Sequence, residues 1–134
     1  MPQTAATPAQ RKCLIVEDST YDQRMIARAV RAALSKVELT VVASIEEARE
    51  ALATTPIAPI LLDNNLPDGK GANFALELAQ DARLGAIPVI MVSDWPSPFM
   101  WQKAELAGVH RVFTKTEFNA AVFSAALPKR MALH

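Results

Sequence analysis

Four short apolar runs in this chain each stop at a polar or charged residue. Cys13-Leu14-Ile15-Val16 runs into Glu17-Asp18, Ile60-Leu61-Leu62 into Asp63, Val89-Ile90-Met91-Val92 into Ser93, and Val112-Phe113-Thr114 into Lys115. Apolar runs this short, bounded by turn signals, read as buried strands. Helical patterns separate them, so strands alternate with helices. That order argues for right-handed βαβ crossovers and a mainly parallel sheet covered on both faces. The carboxyl ends of such strands share one edge, where open α/β folds hold their ligands. Three carboxylates, a hydroxyl and an ammonium are predicted to share one pocket there.

The intervening segments fit this layout. Ser19-Thr20 can cap a helix from about Asp22 to Leu34, and Ser44 with Glu47 reads as a capping box for a helix to about Thr54. Leu39, Val41 and Val42 form a β-prone segment between them, while Pro56 and Pro59 bracket the return to Ile60. Gly69 and Gly71 mark a loop before a helical stretch that ends near Gly85. A fourth helix is expected over Phe99–Ala107, a fifth strand over Val109–Thr114, and a last helix from about Glu117 to Leu127, burying Phe118, Val122 and Ala125 or Ala126. The expected architecture is an α/β doubly wound sheet of five parallel strands with five helices.

The chain has 134 residues, the size of one domain, and its 14 Lys and Arg balance 14 Asp and Glu. No global field draws it to nucleic acid or to an anionic membrane. With a single cysteine, Cys13, an internal disulfide is impossible, and the expected compartment is reducing and cytoplasmic. No apolar stretch approaches the roughly 18 residues of a membrane span. The segment 1–11 reads as a disordered leader, 12–128 as the folded domain and 129–134 as a tail.

Glu17, Asp18 and Asp63 crowded together push one another toward protonation, and a divalent cation relieves that repulsion. Hard oxygen ligands suit Mg²⁺. With Mg²⁺ and Lys115 present, the three carboxylates are neutralised and the site is poised for an oxyanion. A phosphoryl group would bind metal, ammonium and the Ser93 hydroxyl at once, with Asp63 as the nucleophile.

The joint spacing resembles the receiver (response regulator, CheY-like) domain of two-component signalling over about Lys12 to Leu127. It rests on the acidic pair in Val16-Glu17-Asp18-Ser19, on Asp63 followed by Leu66-Pro67 and Gly71, on Ser93 thirty positions after Asp63, and on Lys115 twenty-two positions after Ser93. The resemblance implies a flavodoxin-like strand order 2-1-3-4-5. It further implies Asp63 as acceptor of a phosphoryl group from a histidine kinase or histidine phosphotransferase, with Ser93 and Lys115 binding its oxygens. Mg²⁺ would be held by Glu17, Asp18, Asp63 and the backbone carbonyl of Asn65. The expected function is a stand-alone receiver signalling through an unknown downstream protein, as a monomer or weak dimer. Its chemistry would be confined to Mg²⁺-dependent gain and loss of phosphate at Asp63.

Three positions depart from the family pattern. Val112 stands where many receivers carry an aromatic, so the usual coupling of an aromatic rotamer to the hydroxyl cannot operate in that form. Thr116 replaces the proline that often follows the lysine in a cis peptide, and a non-proline cis bond costs about 2.5–4 kcal/mol. Ser93 replaces the commoner threonine with its hydroxyl chemistry intact. Trp95, Phe99, Met100 and Trp101 cluster just after Ser93 in a chain of eight aromatics, and with Val112 they make a candidate partner surface. Inward packing of two or three of them is the plain alternative. Two other functions share the layout: a phosphate-independent interaction module, and an aspartate-nucleophile phosphatase of the haloacid dehalogenase type. The latter's usual general acid would fall at Asn65, which cannot serve.

Overall fold

A computed structural model describes residues 11–129. Residues 1–10 of the expected leader and residues 130–134 of the expected tail lie outside the described residues. Arg11 already belongs to the first strand.

The five strands are β1 (Arg11–Val16), β2 (Val37–Val42), β3 (Ile60–Leu62), β4 (Val89–Ser93) and β5 (Arg111–Thr114). They form one parallel sheet in the order β2-β1-β3-β4-β5. This is the flavodoxin-like arrangement, and all neighbouring pairs are parallel. Five helices connect and close it: α1 (Thr20–Ala33), α2 (Ile45–Thr54), α3 (Gly71–Ala79), α4 (Pro98–Leu106) and α5 (Ala120–Ala126).

The period-two alternation of the strands sorts their side chains onto two faces. Leu14, Val16, Ile60, Leu62 and Met91 meet α2, α3 and α4 through Ile45, Leu52, Phe74, Leu78 and Met100. Cys13, Ile15, Leu61, Ile90 and Val92 meet α1 and α5 through Ile26, Val30 and Phe123, with Phe118 of the turn before α5 in the same cluster. Burial pushes the Cys13 thiol well above its ordinary pKa. Apolar burial of this kind contributes about 1.5–3 kcal/mol for each large side chain.

Helix boundaries follow local hydrogen bonding. Ser19, Ser44, Ser97 and Asn119 each accept from the backbone N–H three residues on, fixing the starts of α1, α2, α4 and α5. The last helix therefore starts at Ala120 rather than near Glu117. Glu117 instead receives the Thr114 N–H at 2.7 Å. Phe123 is the principal buried side chain of α5, Val122 being half-buried, because its ring sits 5.8 Å from Phe118, which in turn lies 5.7 Å from Phe113. Likewise α3 stops at Ala79, well before Gly85. Asp81 Oδ1 accepts from the N–H groups of Arg83 and Leu84, a turn that competes with continued helix.

Between β3 and α3 the chain forms a two-residue antiparallel ribbon, Asn65–Leu66 with Gly69–Lys70. The Asp68 carboxylate at its tip accepts from the Ile45 and Glu46 N–H groups at 2.9 and 3.0 Å, pinning the ribbon to the start of α2. Those bonds hold the Asp68 carboxyl below its usual range. The base of the ribbon is tight. A Cβ on Gly71 would lie 2.0 Å from the Asp63 carbonyl oxygen, so only glycine allows this approach.

Candidate functional site

Glu17, Asp63, Ser93 and Lys115 sit at the carboxyl ends of β1, β3, β4 and β5, four adjacent strands of the sheet. The crevice lies at the β1/β3 boundary, where the following helices α1 and α3 leave for opposite faces. One carboxylate oxygen from each of Glu17, Asp18 and Asp63 comes within 4.8 Å of the others. Glu17 and Asp63 are buried and Asp18 is exposed. The backbone ties the neighbours in: the Lys115 N–H donates to the Ser93 carbonyl at 2.9 Å, and the Asp63 N–H to the Val16 carbonyl at 3.0 Å.

Lys115 Nζ reaches into this group. It lies 2.9 Å from Glu17 Oε1 and 3.6 Å from Asp63 Oδ2, with its side chain 8% exposed. It is also 2.8 Å from Asp22 Oδ2 and 3.6 Å from Asp94 Oδ2. The Asn64 N–H donates to Asp63 Oδ1 at 2.8 Å. Asn64 also organises the start of α3, its carbonyl receiving the Gly71 N–H and its Oδ1 the Ala72 N–H.

Burial dominates the acid–base behaviour. It pushes Glu17 up to about 7, against the pull of Lys115 and the Ser19 N–H and with help from the charge of Asp63. It also raises Asp63, against Lys115 and the N–H groups of Asn64 and Asn65. For Lys115, burial favours the neutral amine. Hydrogen bonds to Asp22 and Glu17 outweigh it, and the ammonium is held above its ordinary range.

These carboxylates fit a hard divalent cation. Their oxygens converge without sulfur or imidazole, the donor set that suits Mg²⁺ or Mn²⁺. A cation there would also relieve the desolvation and repulsion that raise Glu17 and Asp63. The Ser93 hydroxyl is buried and finds no hydrogen-bond partner among the described residues. An orphaned buried hydroxyl at the same strand-end edge as a buried ammonium is an arrangement suited to an anionic ligand.

The family model for the response regulator receiver domain matches residues 13–127. The chain belongs to the response regulator receiver family. Among solved structures, the phosphorylated cyanobacterial phytochrome response regulator RcpA is 26% identical, with a TM-score of 0.76 over 87% of this receiver and 89% of that chain. The Mn(2+)-bound response regulator Rcp1 is 24% identical, with a TM-score of 0.73 over 87% and 88%. A CheY-like receiver domain protein from Methanospirillum hungatei JF-1 is 20% identical, with a TM-score of 0.76 over 91% and 94%. The last two likenesses speak for the fold. No protein of curated function matches in sequence.

The receiver's structure brings Glu17, Asp18, Asp63 and Lys115 together and sets Ser93 at the same edge. Asn65 follows in the ribbon, with its side-chain oxygen receiving Lys70 Nζ at 2.8 Å. Among the described residues the one cis peptide is Ala58–Pro59, so the Lys115–Thr116 bond is trans. The expected partner surface needs one correction. Trp95, Phe99 and Trp101 are exposed at 86%, 75% and 50%, but Met100 is 2% exposed and belongs to the core with Ala104. The Ser97 cap orients α4 so that Met100 faces the sheet. Val112 is half-buried and packs against the same core. Asp22 and Asp94 join the site only through the folded chain. Asp94 follows Ser93 directly, and Asp22 lies in the first turn of the helix leaving β1, so both are topological neighbours of the strand ends.

Proposed function

We propose that the chain is a phosphoacceptor receiver in which Asp63 takes a phosphoryl group from a phosphohistidine of a kinase or phosphotransferase and passes the signal on by protein contact. The observation that carries the reading is the buried Ser93 hydroxyl, unpartnered among the described residues, at the edge where Lys115 stands 3.6 Å from Asp63. The hydroxyl has its donor free for a phosphoryl oxygen, and the ammonium would turn to one from its present carboxylate partners.

In this reading an Asp63 oxygen attacks phosphorus and the phosphorus–nitrogen bond breaks. The imidazole keeps the bonding pair and takes a proton from solvent, and an aspartyl phosphate forms. Ser93 and Lys115 bind the phosphoryl oxygens, and the Asn64 N–H holds Asp63 in place. Glu17, Asp18, Asp63 and the Asn65 carbonyl would hold Mg²⁺, which supplies charge neutralisation when bound. The chain's chemistry is otherwise confined to phosphate gain and loss at Asp63.

The test is incubation of the purified protein with Mg²⁺ and acetyl phosphate, followed by intact mass measurement. A single hydroxylamine-labile phosphate, lost in Asp63→Asn, is the expected result. No adduct would favour a phosphate-independent module, and rapid multiple turnover a phosphatase.

A further inference from the structure

Lys115 is held by a carboxylate that the phosphoacceptor reading does not use. Its ammonium is closest to Asp22 at 2.8 Å and Glu17 at 2.9 Å, while Asp63 and Asp94 stand at 3.6 Å. An ammonium has three protons to donate. The shortest of its contacts goes to Asp22, ahead of Asp63.

The local sequence explains why Asp22 is available. It is the third residue of α1, the position whose side chain folds back onto the N-cap N–H in a capping box. Here the Ser19 N–H donates to Glu17 Oε2 at 3.0 Å instead, while Ser19 Oγ accepts from the Asp22 N–H at 3.3 Å. Glu17 makes the back-bond, and the Asp22 carboxylate reaches Lys115 across the site. The helix N-terminus favours that negative charge. With its backbone capped and its side chain 19% exposed, Asp22 is a fixed partner.

We infer that Asp22 is a positioning residue that sets the balance between two ligands of the site, favouring the divalent cation and opposing the phosphoryl group through its hold on Lys115. The inference rests on the phosphoacceptor reading. A cation approaching Glu17, Asp18 and Asp63 is repelled by Lys115, and Asp22 cancels part of that repulsion. A phosphoryl group on Asp63 needs the ammonium and must draw it away from Asp22. Removing the Asp22 charge therefore moves the two affinities in opposite directions. Simple loss of order around α1 would weaken both.

The experiment uses the full chain as wild type, Asp22→Asn and Asp22→Glu. Mg²⁺ is titrated alone by calorimetry, and then beryllium trifluoride, a phosphoryl mimic, at saturating Mg²⁺. Asp22→Asn is expected to weaken Mg²⁺ binding by roughly three- to tenfold and to tighten beryllium trifluoride binding by about the same factor. Asp22→Glu, which keeps the charge, should stay near wild type in both. Should Asp22→Asn fail to fold, Asp22→Ser repeats the charge removal with a residue suited to a first helical turn. Constants that move in the same direction, or stay put, overturn the role of Asp22 and leave the phosphoacceptor reading standing. A wild type that takes neither beryllium trifluoride nor phosphate at Asp63 overturns both.

Discussion

Two neighbouring parts of the receiver break the usual partition of polar and apolar groups in opposite ways. At the strand ends Glu17 and Asp63 are 0% and 4% exposed, whereas beside them Trp95 and Phe99 are 86% and 75% exposed. Ordinary proteins leave unpaired acids outside and bury such aromatics. The first inversion is imposed by the fold, because parallel strands deliver their carboxylates to one crevice and Lys115 compensates them from within. The second is a local outcome of helix phase. Once Met100 and Ala104 take the inward face of α4, Phe99 and Trp101 face outward. Buried charge is thus answered inside the molecule or by a cation, and exposed apolar area is the kind of surface a partner protein covers.

The largest expected effect tests the apolar side of this contrast. Met100→Ala should destabilise the receiver by about 2–5 kcal/mol through lost burial and a cavity, while Phe99→Ala, its exposed neighbour, should stay within about 0.5 kcal/mol. Denaturant midpoints measure both, and equal losses would end the distinction.

Next in size is the response of the charged side to metal. Mg²⁺ at a hundredfold excess over Kd should stabilise the fold by about 2.7 kcal/mol, read as a rise in thermal midpoint that Glu17→Gln removes. Glu17 titrates near 7, so its proton competes with the cation. Mg²⁺ affinity should therefore fall as pH drops below about 7, which calorimetry on either side of that value checks.

Asp63→Asn should raise stability at neutral pH by about 1–2 kcal/mol, because it removes a buried charge. The sign follows from the raised pKa of Asp63. The folded chain holds that proton more tightly than the unfolded one, so wild-type stability declines as pH climbs out of the ordinary carboxylate range. Wild type and variant should converge in acid, which paired unfolding curves across pH would reveal.

The smallest effect belongs to Trp95, which lines a groove with Asn64 and Asn65. Trp95→Ala should leave stability within about 0.5 kcal/mol yet shorten the life of a phosphate on Asp63 by roughly two- to threefold, through admission of water. Decay measured after removal of the phosphodonor decides it, and an unchanged half-life would end the shielding role.

Four of the five strands were legible because each is an apolar run closed by a polar residue, and the site was legible because parallel strands end together. Capping serines marked α1 and α2 for the same reason, being local chemistry. What escaped was set by contacts distant in sequence or by competition between turns. Asp22 reads as an ordinary helix-start acid until Lys115, ninety-three residues on, is folded against it. The ribbon after Asp63 reads as a glycine loop until Asp68 reaches α2. Met100 carried the same surface signal as its aromatic neighbours, and only the phase fixed by Ser97 separated it from them.

The glycine at the base of that ribbon has a mechanical consequence. Because Gly71 abuts the carbonyl of Asp63 and its N–H is bonded to the Asn64 carbonyl at 2.8 Å, the end of β3, Asp63 and the first turn of α3 form one stiff joint. A stiff joint transmits force and absorbs none. Across the crevice the backbone of Ser93 is tied to Lys115, but its hydroxyl is free of partners among the described residues, and the chain runs on from it into the segment leading to α4. The hydroxyl at this edge, with a hydrogen bond still to make, thus stands at the root of the segment that carries the exposed Trp95.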